Sequence, residues 1–265
     1  MISIITEITA TTVNNGWLAM WSLALGLFWL GKMWVLRHSH GAALEDRVAF
    51  VLLWPGMDFA AFRRKPLLHL PLLRRGIINL ILVALLIWFI ARRIPNDFLA
   101  TWLCMIGFIW ALHGGVFTLL TAFWRSRGRD VQPLMNAPLL AASVTEFWGR
   151  RWNHGFRDLV HGAVFKPAAR RFGAKAAMMI VFVVSGLVHE LVVTVPARGG
   201  YGGPTLYFAL QGLAVWLESG CPVKSSIFWR ARTFAFVLLP LPIAFPAPFV
   251  TNVCQPFFET LGALP

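Results

Sequence analysis

Val181-Phe182-Val183-Val184-Ser185-Gly186-Leu187-Val188-His189-Glu190-Leu191-Val192-Val193 is the stretch whose reading decides the fold. It belongs to an apolar run over residues 176–195, and about 20 helical residues cross a hydrocarbon core of roughly 30 Å. The run is therefore long enough to span a bilayer. His189 and Glu190 sit inside it. Ionisable side chains kept within a membrane face a wet cavity, a partner or a substrate path, and the structural alternative is a hydrogen-bonded pair that only packs.

Working outward, the composition says the same. The 265 residues are 58% hydrophobic, 14% aromatic and only 13% charged, with a mean hydropathy of +0.67. That composition marks a multi-span membrane protein and excludes a soluble core. The net charge of +13 does not point to nucleic acid, because the basic residues cluster between apolar runs and not on a hydrophilic domain. Cys104, Cys221 and Cys254 form no C-x-x-C pair and no zinc pattern, and are read as packing residues. Residues 1–16 lack Lys and Arg, so the first apolar run reads as a span and not as a cleaved signal.

Hydropathy and length place spans near 17–36, 77–91, 98–124, 176–195, 204–218 and 233–250. The last carries Pro240, Pro242, Pro246 and Pro248, which remove backbone donors and predict a kinked or broken helix. Val48 to Met57 is about half a span long and reads as a re-entrant or interfacial piece. The fold expected is an all-α, multi-pass transmembrane bundle of about six spans with an internal substrate chamber, in one domain over 1–265. Of the 24 Lys and Arg residues, 21 fall in 37–76, 125–175 and 219–232 or at Lys32 beside them; only Arg92, Arg93 and Arg198 lie on the other side. The positive-inside rule then puts the basic segments in the cytosol and both termini outside.

The segment 143–157 mixes large aromatics with charge. On one helix, Glu146, Arg150, Asn153 and Arg157 would form a single polar stripe, with Phe147, Trp148 and Trp152 around the rest. Such a helix suits a water-filled passage whose arginines meet an anionic ligand. It equally suits an interfacial helix whose arginines bind lipid phosphates and whose tryptophans lie at the headgroups. The residues alone leave both open.

Two motifs taken together resemble a family. Glu146-Phe147-Trp148-Gly149-Arg150-Arg151-Trp152-Asn153 is followed, 36 residues after Asn153, by His189 in Ser185-Gly186-Leu187-Val188-His189-Glu190-Leu191. In this order and membrane context they resemble the wax synthase branch of the membrane-bound O-acyltransferases. Trp54-Pro55-Gly56-Met57-Asp58 with Phe62 resembles an upstream feature of that branch, so the likeness runs from about residue 47 to 220. The chain is shorter than plant members, with fewer spans before the motifs. The resemblance implies His189 as the catalytic residue with Asn153 assisting, acyl-CoA as co-substrate, a long-chain alcohol as acceptor to give a wax ester, with a sterol, a diacylglycerol or another small hydroxyl compound as the alternative acceptor on the same fold, and no permanently bound cofactor or metal. Trp148, Arg150, Arg151, Trp152, Ser185 and Gly186 are the expected substrate-binding residues.

The chemistry fits those residue types. A neutral imidazole can take the proton of an attacking hydroxyl, and the Asn153 amide could hold a carbonyl or hydroxyl as oxyanion-hole donors do. Ser185, at i−4, is placed to orient the imidazole, and Gly186, at i−3, to leave room for a chain. Glu190 points about 100° away on a helix, so pairing with an arginine of the 150s is expected. His113 reads as a packed residue more than a functional one, and His154 and His161 as interfacial. Valine at 193 rules out H-E-x-x-H, and no G-x-S-x-G or phosphate-binding glycine motif occurs. The competing class is a transporter that relays protons through His189 and Glu190, although no internal repeat supports it. Arginine outnumbers lysine 19 to 5, which favours a bacterial inner membrane over an endoplasmic reticulum.

Overall fold

The computed structural model describes residues 16–37, 42–63, 71–219 and 226–265, and every regular element among them is helical. Cys221 and Lys224 lie outside the described residues. The principal elements are α1 (Gly16–Arg37), α2 (Leu44–Leu53), α3 (Phe59–Arg63), α4 (Pro71–Leu85), α5 (Asp97–Trp110), α6 (Phe117–Ser126), α7 (His154–Val160), α8 (Lys166–His189), α9 (Gly203–Glu218) and α10 (Ile227–Leu238). Wide π turns extend or join several of them, at Leu86–Ile90, Ala111–Val116, Phe147–Arg151, His161–Phe165, Glu190–Thr194 and Val250–Cys254.

Five helical segments are long and apolar enough to cross a membrane: Gly16–Arg37, Leu72–Arg93, Asp97–Ser126, His154–Ala197 and Ile227–Ala244. The fifth expected span, 204–218, is α9, whose 16 residues give about 24 Å of helix, a little less than the hydrocarbon core. Each long helix carries apolar side chains on its outer face. Leu30, Ile81, Leu82, Phe89, Leu187 and Leu206 are all more than half exposed, a belt that only a lipid solvent accommodates. The chain is an integral membrane protein, and its regular elements among the described residues are all helices.

Local chemistry sets the breaks. Asn96 starts α5 by accepting from the Leu99 N–H at 2.9 Å. At the other end of the chain the prolines act as expected: α10 stops at Leu238 and broken pieces follow it, the short turns Leu241–Ala244 and Ala247–Phe249, the wide turn Val250–Cys254 and the six-residue helix Gln255–Thr260. The fourth span starts earlier than hydropathy suggests, because the helix runs on from α7 through α8 to Ala197 as one 44-residue segment bent at Gly173, whose φ of 81° glycine alone adopts cheaply.

The half-span piece near Val48–Met57 is α2 plus an extended stretch before α3. It is folded inward, with Phe50, Trp54, Phe59 and Phe62 buried against Trp124, Val131 and Leu134. The Trp124 indole N–H donates to the Leu53 carbonyl at 3.0 Å, ending α2 against α6. Lys32, which its place in the sequence groups with the cytosolic charges, is instead fully buried inside the protein.

The tightest helix pair is α8 on α9. A Cβ on Gly186 would lie 2.7 Å from the Thr205 Cα, and one on Gly212 would lie 3.1 Å from the Phe182 Cβ. Glycine at both crossings lets the backbones meet, as small residues do between membrane helices. The room beside the histidine expected from Gly186 is thus filled by Thr205, so Gly186 is a packing position.

Candidate active site

His189 ends α8, where the helix widens into the Glu190–Thr194 turn. Its Nδ1 lies 2.7 Å from the Ser185 backbone carbonyl one turn back. A carbonyl oxygen only accepts, so Nδ1 carries the hydrogen and the Nε2 lone pair is left free. Among the described residues Nε2 has no hydrogen-bond partner. The ring is packed by Phe208 of α9, with centroids 4.4 Å apart, and meets the Phe156 edge at 6.4 Å. Ser185 therefore orients the imidazole, but through its carbonyl; its hydroxyl donates to Val181 O at 2.8 Å.

Glu190 corrects the sequence reading. Among the described residues no arginine reaches it. One carboxylate oxygen accepts from the Thr205 N–H and hydroxyl at 3.1 and 3.0 Å, and the other from the Thr194 hydroxyl at 2.7 Å. The carboxylate thus caps the N-terminus of α9, where the orphan N–H groups and the helix dipole favour negative charge.

The first motif is not one helix. Val144–Glu146 forms a short turn, Phe147–Arg151 a wide one, Trp152 is extended, and Asn153 is left-handed with φ 38° and ψ 65°. The Glu146, Arg150, Asn153 and Arg157 stripe is broken because the chain leaves the helical region at Trp152. Asn153 instead caps α7: its Oδ1 accepts from the Phe156 N–H at 3.2 Å, leaving the Nδ2 group without a partner among the described residues. Phe156 is the physical link between the motifs, touching the His189 ring with its own and Asn153 with its backbone.

The tryptophans build a wall. The Trp148 indole N–H donates to Gln211 Oε1 at 3.1 Å and its ring lies 5.6 Å from Phe208. Trp152 stacks on Phe147 at 5.2 Å and on His113 at 6.1 Å. His113 repeats the His189 arrangement, with Nδ1 3.1 Å from the Ile109 carbonyl.

The two arginines divide. Arg151 holds Glu146 Oε1 through Nε at 2.8 Å and the carbonyls of Asn136 and Ala137 through Nη1 at 3.2 and 3.1 Å. It is committed to the fold. Arg150 is exposed and makes no side-chain hydrogen bond or close ion pair among the described residues. Burial works to raise the Glu146 carboxyl, but the Ala142 N–H and the Arg151 and Arg150 charges outweigh it and hold the group below its ordinary value.

A cavity of about 430 Å³ opens beside this turn, lined among others by Trp54, Asp58, Arg75, Asn136, His154 and Arg157. His154, Arg157 and Asp158 share one face of α7, and Arg157 pairs with Asp158. His189 is not among the lining residues. Among the described residues no three His, Cys, Asp or Glu side chains gather as a metal site.

Phe156, Phe208 and Gln211 were not singled out from the sequence. Phe156 lies within the first motif region, three residues after Asn153, where the N–H capped by an asparagine side chain is found; that spacing is a signal the sequence does carry. Phe208 and Gln211 sit in an apolar run with no local signal.

Residues 131–210 match the model of the membrane bound O-acyl transferase family. "Probable long-chain-alcohol O-fatty-acyltransferase 9" of Arabidopsis thaliana is 31% identical over 144 residues, 47% of this chain and 42% of the relative. The long-chain-alcohol O-fatty-acyltransferase of Simmondsia chinensis is 32% identical over 114 residues, 40% and 32% respectively. The acyl-CoA–sterol O-acyltransferase 1 of A. thaliana is 36% identical over 70 residues, 24% and 20%. The aligned part thus spans less than half the length of these relatives, and the likeness is to the wax synthase branch of that family.

Proposed function

We propose that this chain is a membrane-embedded O-acyltransferase that moves a fatty acyl group from acyl-CoA to a long-chain alcohol, releasing a wax ester and free coenzyme A. The observation that carries the reading is His189: an imidazole in an apolar run, its Nδ1–H fixed on the Ser185 carbonyl and its Nε2 free. Nε2 takes the hydroxyl proton as the alcohol oxygen attacks the thioester carbonyl, a contribution of roughly 10²- to 10⁴-fold. The Asn153 Nδ2 group donates to the oxyanion that forms. The C–S bond then breaks, and the imidazolium returns its proton to the departing thiolate.

Trp148 and Trp152 line the acyl path in this reading. Arg150, free of partners, meets the phosphates of the donor, while Arg151 only shapes the turn. The whole of 1–265 acts as one domain, with the basic segments in the cytosol of a bacterial inner membrane. The likeness to a sterol acyltransferase supports a second acceptor class on the same machinery.

The test is purified full-length protein in lipid nanodiscs with acyl-CoA and a panel of alcohols and sterols. Free thiol should appear in step with ester and only when a hydroxyl acceptor is present. Long-chain primary alcohols should exceed short ones, since each buried methylene contributes about 0.8 kcal/mol. Turnover with sterols alone would reject the wax ester, and no thiol release with any acceptor would reject the enzyme.

A further inference from the structure

Lys32 is a charge that the proposed mechanism does not use. It lies in the span α1, is 0% exposed, and has no carboxylate partner among the described residues. Its Nζ donates to the Gly56 carbonyl and sits 3.5 Å from the centroid of the Phe50 ring and 5.3 Å from that of Phe28. An apolar side chain of similar length would fill this space without desolvating an ammonium. What lysine adds is a donor to one backbone oxygen, with the aromatic faces easing its charge.

That oxygen belongs to a strategic piece of backbone. Gly56 is bare on the side of Trp54, where a Cβ would meet the indole Nε1 at 2.4 Å. On its other side it carries α7: a Cβ on Gly155 would lie 3.3 Å from the Pro55 carbonyl and 3.5 Å from the Gly56 Cα. Gly31, next to Lys32, approaches the same helix directly, since its Cβ would meet the Leu159 Cδ2 at 2.8 Å. Contacts therefore run in order from the Lys32 side chain of α1 to the Pro55–Gly56 backbone and on to the first turn of α7. The residue that opens that turn is Asn153, held in the left-handed region. Asparagine visits that region more readily than other non-glycine residues, and here its side chain also caps the Phe156 N–H.

We propose that Lys32 is a positioning residue: by fixing the Gly56 carbonyl it seats the Pro55–Gly56 backbone against Gly155 and so holds Asn153 in its left-handed, α7-capping conformation. The inference rests on the proposed role of Asn153 for its effect on turnover, and stands apart from that role in its effect on α7.

The experiment compares Lys32→Met, which is one atom shorter and removes the donor, with Lys32→Gln, which has the same shorter reach and keeps an uncharged N–H. Both are made in the full chain, alone and with Asn153→Ala. K32M should lower turnover by about tenfold or more, the cost of a small misplacement of a reacting group, and K32Q should recover part of it. In the N153A background K32M should add no further loss, because the two changes act through one group. Hydrogen exchange of the Phe156 amide, which Asn153 caps, should quicken in K32M while amides of α5 keep their rates. Unchanged Phe156 exchange, equal acceleration throughout the protein, or a K32M loss that multiplies in full with N153A would overturn the proposal. If N153A leaves turnover intact, the role of Asn153 in catalysis falls and the exchange pattern alone decides that of Lys32. If K32M does not fold, the same readouts on K32Q decide.

Discussion

His189 and Asn153 are held in place by opposite means. His189 stands at the end of a 24-residue helix, oriented by a carbonyl four residues away on its own chain. Asn153 stands at the junction between the wide turn Phe147–Arg151 and α7, a junction kept by contacts from distant segments. Among these are the His154 N–H on Leu134 O, Arg151 on the carbonyls of Asn136 and Ala137, and Glu218 accepting from the Val144 and Thr145 N–H groups at 3.1 and 2.9 Å. A side chain placed by local geometry survives change around it; one placed by many remote contacts does not. The histidine end should therefore fail only when its chemistry is removed, whereas the asparagine end should fail when its support is.

The largest effect expected is on the histidine itself. His189→Ala should abolish acyl transfer, a loss of roughly 10²- to 10⁴-fold, while the protein still purifies as one species. Activity within tenfold of the parent would remove His189 from the mechanism and end the contrast.

Next come variants that separate the conformation of Asn153 from its amide. Asn153→Gly accepts the positive φ without strain yet lacks the amide, and should lose about 10²- to 10³-fold if Nδ2 serves the oxyanion. Asn153→Asp keeps the cap acceptor and should be equally poor. Full activity of the aspartate variant in a thioester assay would show that the residue acts only as a cap.

A smaller effect should appear at the helix crossing. Gly186→Ala puts a methyl 2.7 Å from the Thr205 Cα, so α9 must move, at about 1–3 kcal/mol. The melting midpoint should fall by about 2–4 °C per kcal/mol, and an unchanged midpoint would mean that α8 and α9 are not in backbone contact at this crossing.

The smallest concerns acid. The Glu146 carboxyl is held below its ordinary value in the folded protein, so its contribution is fully present above its unfolded value and is lost as pH falls through the lower, folded one. Glu146→Gln should flatten the acid limb of a melting-temperature profile and change little at neutral pH. Arg150→Ala should raise the KM for acyl-CoA and shift that profile only slightly, whereas Arg151→Ala, which removes the hydrogen bond as well as the charge, should shift it more.

The same division explains what could be read from the letters. Spans one to five, the proline-broken end and the i−4 relation of Ser185 to His189 stem from periodicity, length and covalent geometry, which are local. The partner of Glu190 was misplaced because Thr205 reaches it from α9, 15 residues on. The polar stripe of the first motif was misplaced because nothing in Glu146 to Arg157 announces that Trp152 will be extended. Lys32 looked like a surface charge because a sequence shows sign but not burial.

The wide turns have a consequence for how the chain tolerates length changes. A π turn holds one residue more than an α turn, so it advances everything after it by about 100° of rotation. The turn at Glu190–Thr194 lets a helix that presents His189 on one side bring Val193 and Ala197 into the core with Phe249, Val253 and Phe258. Deleting one residue there would restore regular winding and swing Val193 and Ala197 out of phase with that core. A single-codon deletion at this point should thus harm the protein more than most substitutions, since it uncouples the catalytic face from the buried one.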